Sequence, residues 1–196
     1  MVITDKSIRK MATESNLISP FSEENLQSES YDVTIGSKIA VMKKEIRCLD
    51  VNDPQGISDC YEDQDIPAEG YTLSPKQFVL VSLTETINLP DNITAHLRPK
   101  TSCTRAGLLV SAQHCNSTYS GQLRIGLFNA TDYPIRIHRN FPIAQIIFET
   151  LDSVPTPEKQ YKNRNDAHYQ NEGKAFVGPQ FSESYLNSIW NQMLDK

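Results

Sequence analysis

The sequence predicts a mainly β domain, built as a jelly-roll-like sandwich or barrel. Short apolar or alternating runs follow one another closely from residue 71 to residue 148, and turn sequences rich in Pro, Asn and Asp separate them. With 196 residues and 38% hydrophobic content, the chain is long enough to bury one sizeable core. We therefore expect a single domain over residues 1–196.

Helical spacing occurs near both ends of the chain. Apolar residues recur at helical intervals between residues 5 and 15, where Thr4 or Asp5 is available as an N-cap, and again between residues 182 and 194. The patterns predict a short helix at each end. Trp190, in the second, is expected to be a packing anchor.

Strand patterns fill most of the chain between these helices. Residues 31–36 alternate apolar and polar side chains and residues 38–42 continue in register. Further strands are predicted over residues 77–83, 93–97, 122–128, 135–138 and 143–148.

Two polar segments interrupt or follow the strands. Residues 48–70 contain seven Asp or Glu and two Pro without a sustained period, which predicts an exposed excursion. Residues 155–180 are polar with interspersed tyrosines, as expected of a lid tail that closes over a site. The alternative is a disordered polar tail.

Composition excludes several classes of function. The net charge is −5 and no run of Lys or Arg is dense enough to follow a phosphate backbone, so a polymeric nucleic acid partner is not expected. The N-terminus lacks a signal-peptide pattern and no apolar run approaches about 18 residues, which predicts no membrane span and a cytoplasmic location. The four cysteines have no C-x-x-C spacing and are interpreted as reduced thiols.

The most informative segment is Arg98-Pro-Lys-Thr-Ser-Cys-Thr-Arg-Ala-Gly107. Arg105 offers a planar donor fork for phosphate oxygens and Lys100 a compact charge, while Thr101 and Ser102 add hydroxyl and backbone donors. Together these residues predict a triphosphate site. The alternative is that Lys100 and Arg105 are ordinary surface cations of a loop.

The segment resembles the Arg-Ser-Ser-x-x-Arg-x-Gly-Leu motif of the dCTP deaminase and dUTPase superfamily. Three other segments are similar to that superfamily in the same order: the signature at residues 30–36, the strand at residues 77–90, and the tail motif Asp-Ala-His-Tyr at residues 166–169. The resemblance points to the deaminase-like branch. It implies a jelly-roll protomer in a homotrimer, active sites that draw residues from neighbouring subunits, and a pyrimidine deoxynucleoside triphosphate such as dCTP or dUTP as ligand.

The resemblance also assigns ligand contacts. Tyr119 corresponds to an aromatic residue that packs on the sugar, where its ring would exclude a ribose hydroxyl; the alternative is a core aromatic. Tyr161, Arg164, His168 and Tyr169 correspond to a lid over the phosphates. His168 stands where the deaminases have Lys, so attraction for phosphate there is expected to depend on pH.

Two catalytic positions of the superfamily lack a carboxylate here. The deaminases use a Glu three residues before an Asn, and counting back from Asn129 gives Gly126. The dUTPases use an Asp three residues before the motif's aromatic residue, and counting back from Tyr119 gives Asn116. Glycine has no group that moves a proton, and an amide orients water without taking its proton.

A substitute base is therefore needed if the protein is an enzyme. His114 is the candidate, with Gln113 holding the water, although His114 is equally consistent with a residue that has no catalytic role. Asp132 is interpreted as a turn residue. Asn116 is retained as a water-orienting residue and a contact for the sugar or base.

Three functions stay open at this point: dCTP deaminase, dUTP diphosphatase, and a non-catalytic nucleotide-binding or interaction protein. A protein-bound metal is not expected, because the H-x-E and P-C-x-x-C patterns of zinc-dependent deaminases do not occur. Mg²⁺ is expected as an ion carried by the triphosphate.

Overall fold

The described part of the protein is mainly β, as the sequence predicts. A computed structural model describes residues 1–43, 45–46, 48–173 and 175–180. The predicted terminal helix over residues 182–194 lies outside the described residues. None of the helices in these ranges is long and apolar enough to cross a membrane.

The elements alternate short strands with a few helical turns. The helices are α1 (Asp5–Ser15), α2 (Pro54–Asp59) and α3 (Thr101–Arg105), and 3₁₀ turns occur at Glu23–Asn25, Pro157–Lys159 and Tyr161–Asn163. The strands are β1 (Ile18–Ser19), β2 (Tyr31–Met42), β3 (Tyr61–Asp65), β4 (Tyr71–Leu73), β5 (Phe78–Leu83), β6 (Thr86–Asn88), β7 (Ile93–Pro99), β8 (Leu108–Val110), β9 (Gln113–Cys115), β10 (Ser120–Gly121), β11 (Arg124–Asn129), β12 (Ile135–Ile137) and β13 (Pro142–Thr150).

Strand β2 organises the largest sheet. Within the described ranges, the sheet order is β8-β11-β5-β2-β13-β7-β9, with β3 also paired to β2, and all these pairings are antiparallel. Residues 31–34 of β2 pair with β13, whereas residues 35–41 pair with β5. Because one strand serves both halves, the sheet curls around a core in which Tyr31, Leu97 and Phe148 are fully buried.

The smaller elements follow the sequence in part. Helix α1 is confirmed, and Asn16 in the left-handed conformation closes it by donating to the carbonyl of Met11. Thr4 is the N-cap residue, but its side chain makes no capping hydrogen bond. The two strand patterns at residues 31–36 and 38–42 form one continuous strand, β2.

The prediction for residues 48–70 is wrong in one respect. This segment contains α2 and β3, and β3 adds to the sheet through its backbone pairing with residues 38–42 of β2. Its acidic side chains obscure the strand pattern, since an edge strand needs little apolar surface to pair. Ile66, directly after β3, is fully buried.

Candidate functional site

A cavity of about 650 Å³ opens between the curled sheet and the tail. Strands β5, β9 and β11 form its wall on the sheet side, and residues from 161 to 180 form the opposite wall. Tail residues that belong to no long helix or strand therefore make up nearly half of the residues that line the cavity.

Seven residues predicted from the sequence line this cavity. They come from strand β9, from the loop that follows it, and from the tail: Gln113, His114, Asn116, Tyr119, Tyr161, His168 and Tyr169. The fold thus brings the predicted lid tyrosines opposite the predicted sugar-packing tyrosine. The rings of Tyr119 and Tyr161 lie 5.9 Å apart between centroids.

The predicted triphosphate residues lie elsewhere in the protomer. Thr101, Ser102 and Arg105 are exposed on α3, and neither they nor Lys100 lines the cavity. Arg164, predicted for the lid, also lies outside the cavity lining and donates to the Asp166 carboxylate at 2.6 Å.

Lys100 joins the phosphate motif to the N-terminal signature. Its ammonium forms an ion pair with Oδ2 of Asp32, a side chain only 8% exposed, and Gln27 Nε2 donates to the same oxygen at 3.3 Å. Asp32 belongs to β2 and Lys100 directly follows β7, so the ion pair fixes α3 against the sheet. The charge of Lys100 is therefore already engaged within the protomer.

Tyr119 is held in place by the approach of the tail. The residue is 4% exposed, and within the described residues its hydroxyl has no hydrogen-bond partner. A Cβ at Gly121 would lie 2.6 Å from Tyr119 Oη and 3.0 Å from the backbone nitrogen of Glu172. Only glycine allows both groups so near the backbone at 121.

Hydrogen bonds tie the tail to the loop around Tyr119. Gln170 accepts from the Ser120 amide and donates to the Thr118 carbonyl, both at 3.2 Å. Lys162 donates its amide to Thr118 Oγ1 at 3.1 Å, and Gln122 donates its amide to the Glu172 carbonyl at 2.6 Å. The tail is therefore closed against the sheet in this structure.

Two charged residues of the cavity were missed by the sequence prediction. The Arg124 side chain is 4% exposed, pairs with Asp63 Oδ1 at 2.7 Å and lies 5.3 Å from the ring centroid of Phe176. Glu172 is 8% exposed. Burial raises the pKa of Glu172 to about 7, and the positive charge of Arg124 opposes that rise.

The sequence carries a weak signal for one of these residues. Arg124 is a charged residue at the start of an otherwise apolar strand, and a charged side chain in a buried strand requires a partner. Glu172 has no comparable signal, because its neighbours in the tail are polar and only the folding of the tail buries it.

Position 126 shows why a carboxylate does not fit there in this chain. A Cβ at Gly126 would lie 2.7 Å from Cε2 of Phe78, whose side chain lines the cavity from β5. Gly126 also exchanges hydrogen bonds at 2.9 Å with Ser111, through the Ser111 hydroxyl and amide. The Phe78 ring would have to move before a side chain could occupy position 126.

His114 forms a cross-strand pair with His96. The two residues are opposite in register on β9 and β7, and their Nδ1 atoms lie 3.5 Å apart. His114 is exposed. Gln113, predicted to hold a water, uses its Nε2 to donate to the Arg124 carbonyl at 2.7 Å, so this donor is engaged with the backbone.

Asp132, interpreted from the sequence as a turn residue, lies away from the cavity. Asp132 is exposed in the turn after β11 and pairs with Lys76 at 3.2 Å, outside the cavity lining. In the part of the chain that the structure describes, no three His, Cys, Asp or Glu side chains are grouped so that they could hold a metal ion.

Comparison with known proteins identifies the family of the chain. The model of the dCTP deaminase-like family matches residues 2–151. A Sulfurihydrogenibium sp. (strain YO3AOP1) protein named dCTP deaminase, dUMP-forming, is 31% identical over 166 residues, which cover 84% of this chain and 91% of the relative. An Aquifex aeolicus (strain VF5) protein of the same name is 32% identical over 166 residues, covering 84% and 88%.

A solved structure agrees with the fold. The 2'-deoxycytidine 5'-triphosphate deaminase of Agrobacterium tumefaciens superposes with a TM-score of 0.62 at 21% sequence identity. The match covers 76% of this chain and 47% of the Agrobacterium chain.

Proposed function

Because the chain belongs to the dCTP deaminase-like family, we propose that it binds a pyrimidine deoxynucleoside triphosphate in the cavity and deaminates dCTP. One observation carries the proposal: the fold gathers around a single cavity seven residues that the sequence selected as ligand contacts, as a candidate base or as a holder of its water. The names of the two bacterial relatives support the choice of dCTP as substrate.

The cavity suits a nucleotide in its shape and lining. Its volume of about 650 Å³ is in the range of small-molecule sites. Tyr119 and Tyr161 provide aromatic surface for the sugar and the base, while His114, His168 and Arg124 provide polar groups for orientation. The Tyr119 ring, placed against C2′, would exclude ribonucleotides.

The phosphate motif on α3 implies a second subunit in the site. Arg105, Thr101 and Ser102 are exposed and lie outside the cavity lining of their own protomer. A homotrimer would bring α3 of one protomer to the cavity of the next, where Mg²⁺ would enter with the triphosphate as part of the substrate.

A second candidate is a nucleotide-binding protein without catalysis. Gly126 and Asn116 favour it, since neither side chain can take a proton from water.

A third candidate is dUTP diphosphatase activity, which would give dUMP and pyrophosphate. The relatives named as dUMP-forming are the reason to assay for these products.

Product analysis with purified protein separates these functions. Incubation with dCTP, dUTP or dTTP and Mg²⁺, followed by ion-exchange chromatography, should give ammonia and dUTP from dCTP. Thermal unfolding with each nucleotide measures binding independently. Nucleotides that raise the Tm but stay intact would favour the non-catalytic candidate, and no change in Tm with any of them would refute the proposal.

Arg105 tests the phosphate contact. Arg105→Ala is expected to abolish the nucleotide-induced rise in Tm, whereas Arg136→Ala, an exposed arginine on β12 outside the cavity lining, should preserve it. Size-exclusion chromatography with light scattering should report a mass of about three chains. A monomer that binds dCTP normally would contradict the shared site.

A further inference from the structure

We propose that Glu172 is the catalytic proton-transfer residue of this cavity, acting on the 4-amino group of a pyrimidine. The inference rests on the proposed function and names the base that Gly126 and Asn116 cannot supply. It assigns a role to a tail carboxylate that the sequence prediction did not select.

The side chain of Glu172 lines the cavity from the tail, in a residue that is largely buried. The residue is 8% exposed, and its side-chain oxygens accept none of the hydrogen bonds found among the described residues. Buried carboxyl groups are normally satisfied by donors. A largely buried carboxylate that lines a cavity is open to a donor from a water molecule or a ligand.

Tyr119 supplies an unsatisfied polar group to the same cavity. Its buried hydroxyl has no partner among the described residues. Burial raises the pKa of Tyr119, and the charge of Glu172 adds to that rise. The approach of Tyr119 Oη and the Glu172 backbone to Gly121 places both residues around one glycine. A ligand with donors and acceptors at this point would satisfy both groups.

The surroundings of Glu172 suit transfer of a proton in both directions. Burial raises its pKa to about 7, against the effect of Arg124 on β11. Other ionisable groups also line the cavity, from β3, from β9 and the loop after it, and from the tail. They are Tyr61, His114, Cys115, Tyr119, Tyr161, Asp166, His168 and Tyr169. Asp63 of β3 neutralises part of the Arg124 charge. Near neutral pH, Glu172 is therefore available both with and without its proton.

The reaction balances with water as the only co-reactant. The ionised carboxylate takes a proton from water as its oxygen bonds to C4, and passes that proton to N3 of the ring. It then takes the proton of the new C4 hydroxyl and delivers it to the exocyclic nitrogen. The C4–N bond breaks, its electron pair leaves with ammonia, and the C4 carbonyl forms.

His114 is less suited to this role. It lines the same cavity, but it is exposed and paired with His96 across the strands. Exposure leaves its proton in contact with bulk water, whereas the buried position of Glu172 keeps a transferred proton within the site.

The test is the variant Glu172→Gln, which preserves the shape of the side chain and removes its proton chemistry. Ammonia release from dCTP should fall on the order of 100-fold or more. The dCTP-induced rise in Tm should persist. The control is Glu158→Gln, an exposed carboxylate of the tail outside the cavity lining, which should retain wild-type turnover.

A pH profile separates a proton-transfer role from a structural one. Wild-type kcat/KM for dCTP should rise with pH through about 7, as Glu172 ionises, and Glu172→Gln should lose that limb. Glu172→Asp should recover part of the rate.

The outcomes divide the two proposals. Wild-type turnover in Glu172→Gln would overturn the role of Glu172 while leaving the proposed function intact. Binding of dCTP without turnover by the wild-type protein would overturn deamination and the role of Glu172 together, and leave nucleotide binding standing. A wild-type protein whose Tm does not respond to any pyrimidine nucleotide would remove the proposed site itself.

Discussion

Two largely buried carboxylates, Glu85 beside the sheet and Glu172 beside the cavity, differ in the groups that surround them. Glu85 is 2% exposed, and Thr34 satisfies both of its oxygens, through its amide at 2.9 Å and its hydroxyl at 3.0 Å. Glu172 is 8% exposed and lines the cavity, and its carboxylate accepts none of the hydrogen bonds found among the described residues. Burial raises the pKa of both groups, so burial alone does not distinguish a structural acid from a reactive one.

The difference lies in where the donors are. Thr34 on β2 and Glu85 after β5 belong to the sheet, which places them together whether or not a ligand binds. Glu172 belongs to the tail, and its side chain meets a cavity that a ligand can fill. A buried carboxylate whose hydrogen-bond donors belong to the sheet has a role in stability. A buried carboxylate beside a cavity, without such donors, is a candidate for binding or catalysis.

Removal of the sheet carboxylate should have the largest effect on stability. Glu85→Ala leaves two buried donors of Thr34 unsatisfied, which should lower the free energy of unfolding by about 3 kcal/mol. Urea denaturation measures the change. Glu158→Ala, at an exposed site, should stay within about 0.5 kcal/mol of wild type. A loss below about 1 kcal/mol for Glu85→Ala would remove its structural role.

The pH dependence of stability should reveal the cavity carboxylate. The folded-state pKa of Glu172 is about 7, above the ordinary value of 4.5, so its contribution favours folding at low pH and is lost as pH rises through about 7. As pH rises from 5 to 8, the free energy of unfolding of Glu172→Gln should therefore increase by about 1–3 kcal/mol relative to that of the wild type. Urea titrations at four pH values test this, and a constant difference would contradict it.

Crowding at position 126 should have a smaller effect. Gly126→Ala forces the Phe78 ring to move and should cost about 1–2 kcal/mol in thermal or urea unfolding. The double variant with Phe78→Leu should recover most of that loss, because the shorter side chain removes the clashing ring atoms. Additive losses would show that Phe78 does not occupy the space.

The hydroxyl of Tyr119 should give the smallest change. Tyr119→Phe removes a buried hydroxyl that lacks a partner among the described residues, so the free energy of unfolding of the ligand-free protein should rise by up to about 1 kcal/mol. Tyr161→Phe is the matched control with the opposite sign, since the Tyr161 hydroxyl accepts from the Tyr169 amide at 3.3 Å. Equal losses in both variants would indicate that Tyr119 has a partner after all.

Much of the fold was predictable because its signals are local. Alternating apolar residues mark β2 as a strand, and apolar runs mark β5 and β13. The alternation did not predict that the polar Asp32 and Thr34 of β2 are buried as well. The edge strand β3 was missed because an acidic exposed strand lacks that pattern. Very short strands such as β1 and β10 are defined by their partners across the sheet and not by their own residues.

The candidate site was predictable only where a motif marked it. Tyr119 and the tail tyrosines were found through their resemblance to a family, and they meet around the cavity. Arg124 and Glu172 were not found, since the first stands in an apolar strand and the second in a polar tail. Arg124 and Glu172 come close together because the tail packs near β11. That packing depends on contacts between residues that are distant in sequence.

The sequence by itself determined the fold class, the family and the absence of a carboxylate at Gly126 and Asn116. The tertiary structure decided which carboxylate faces the cavity, which cation is engaged at Asp32, and which ring fills the space beside Gly126. The physical reason is that residue type and spacing record local preference. The protonation and availability of a side chain depend on burial, neighbouring charges and donors that only the folded chain brings together.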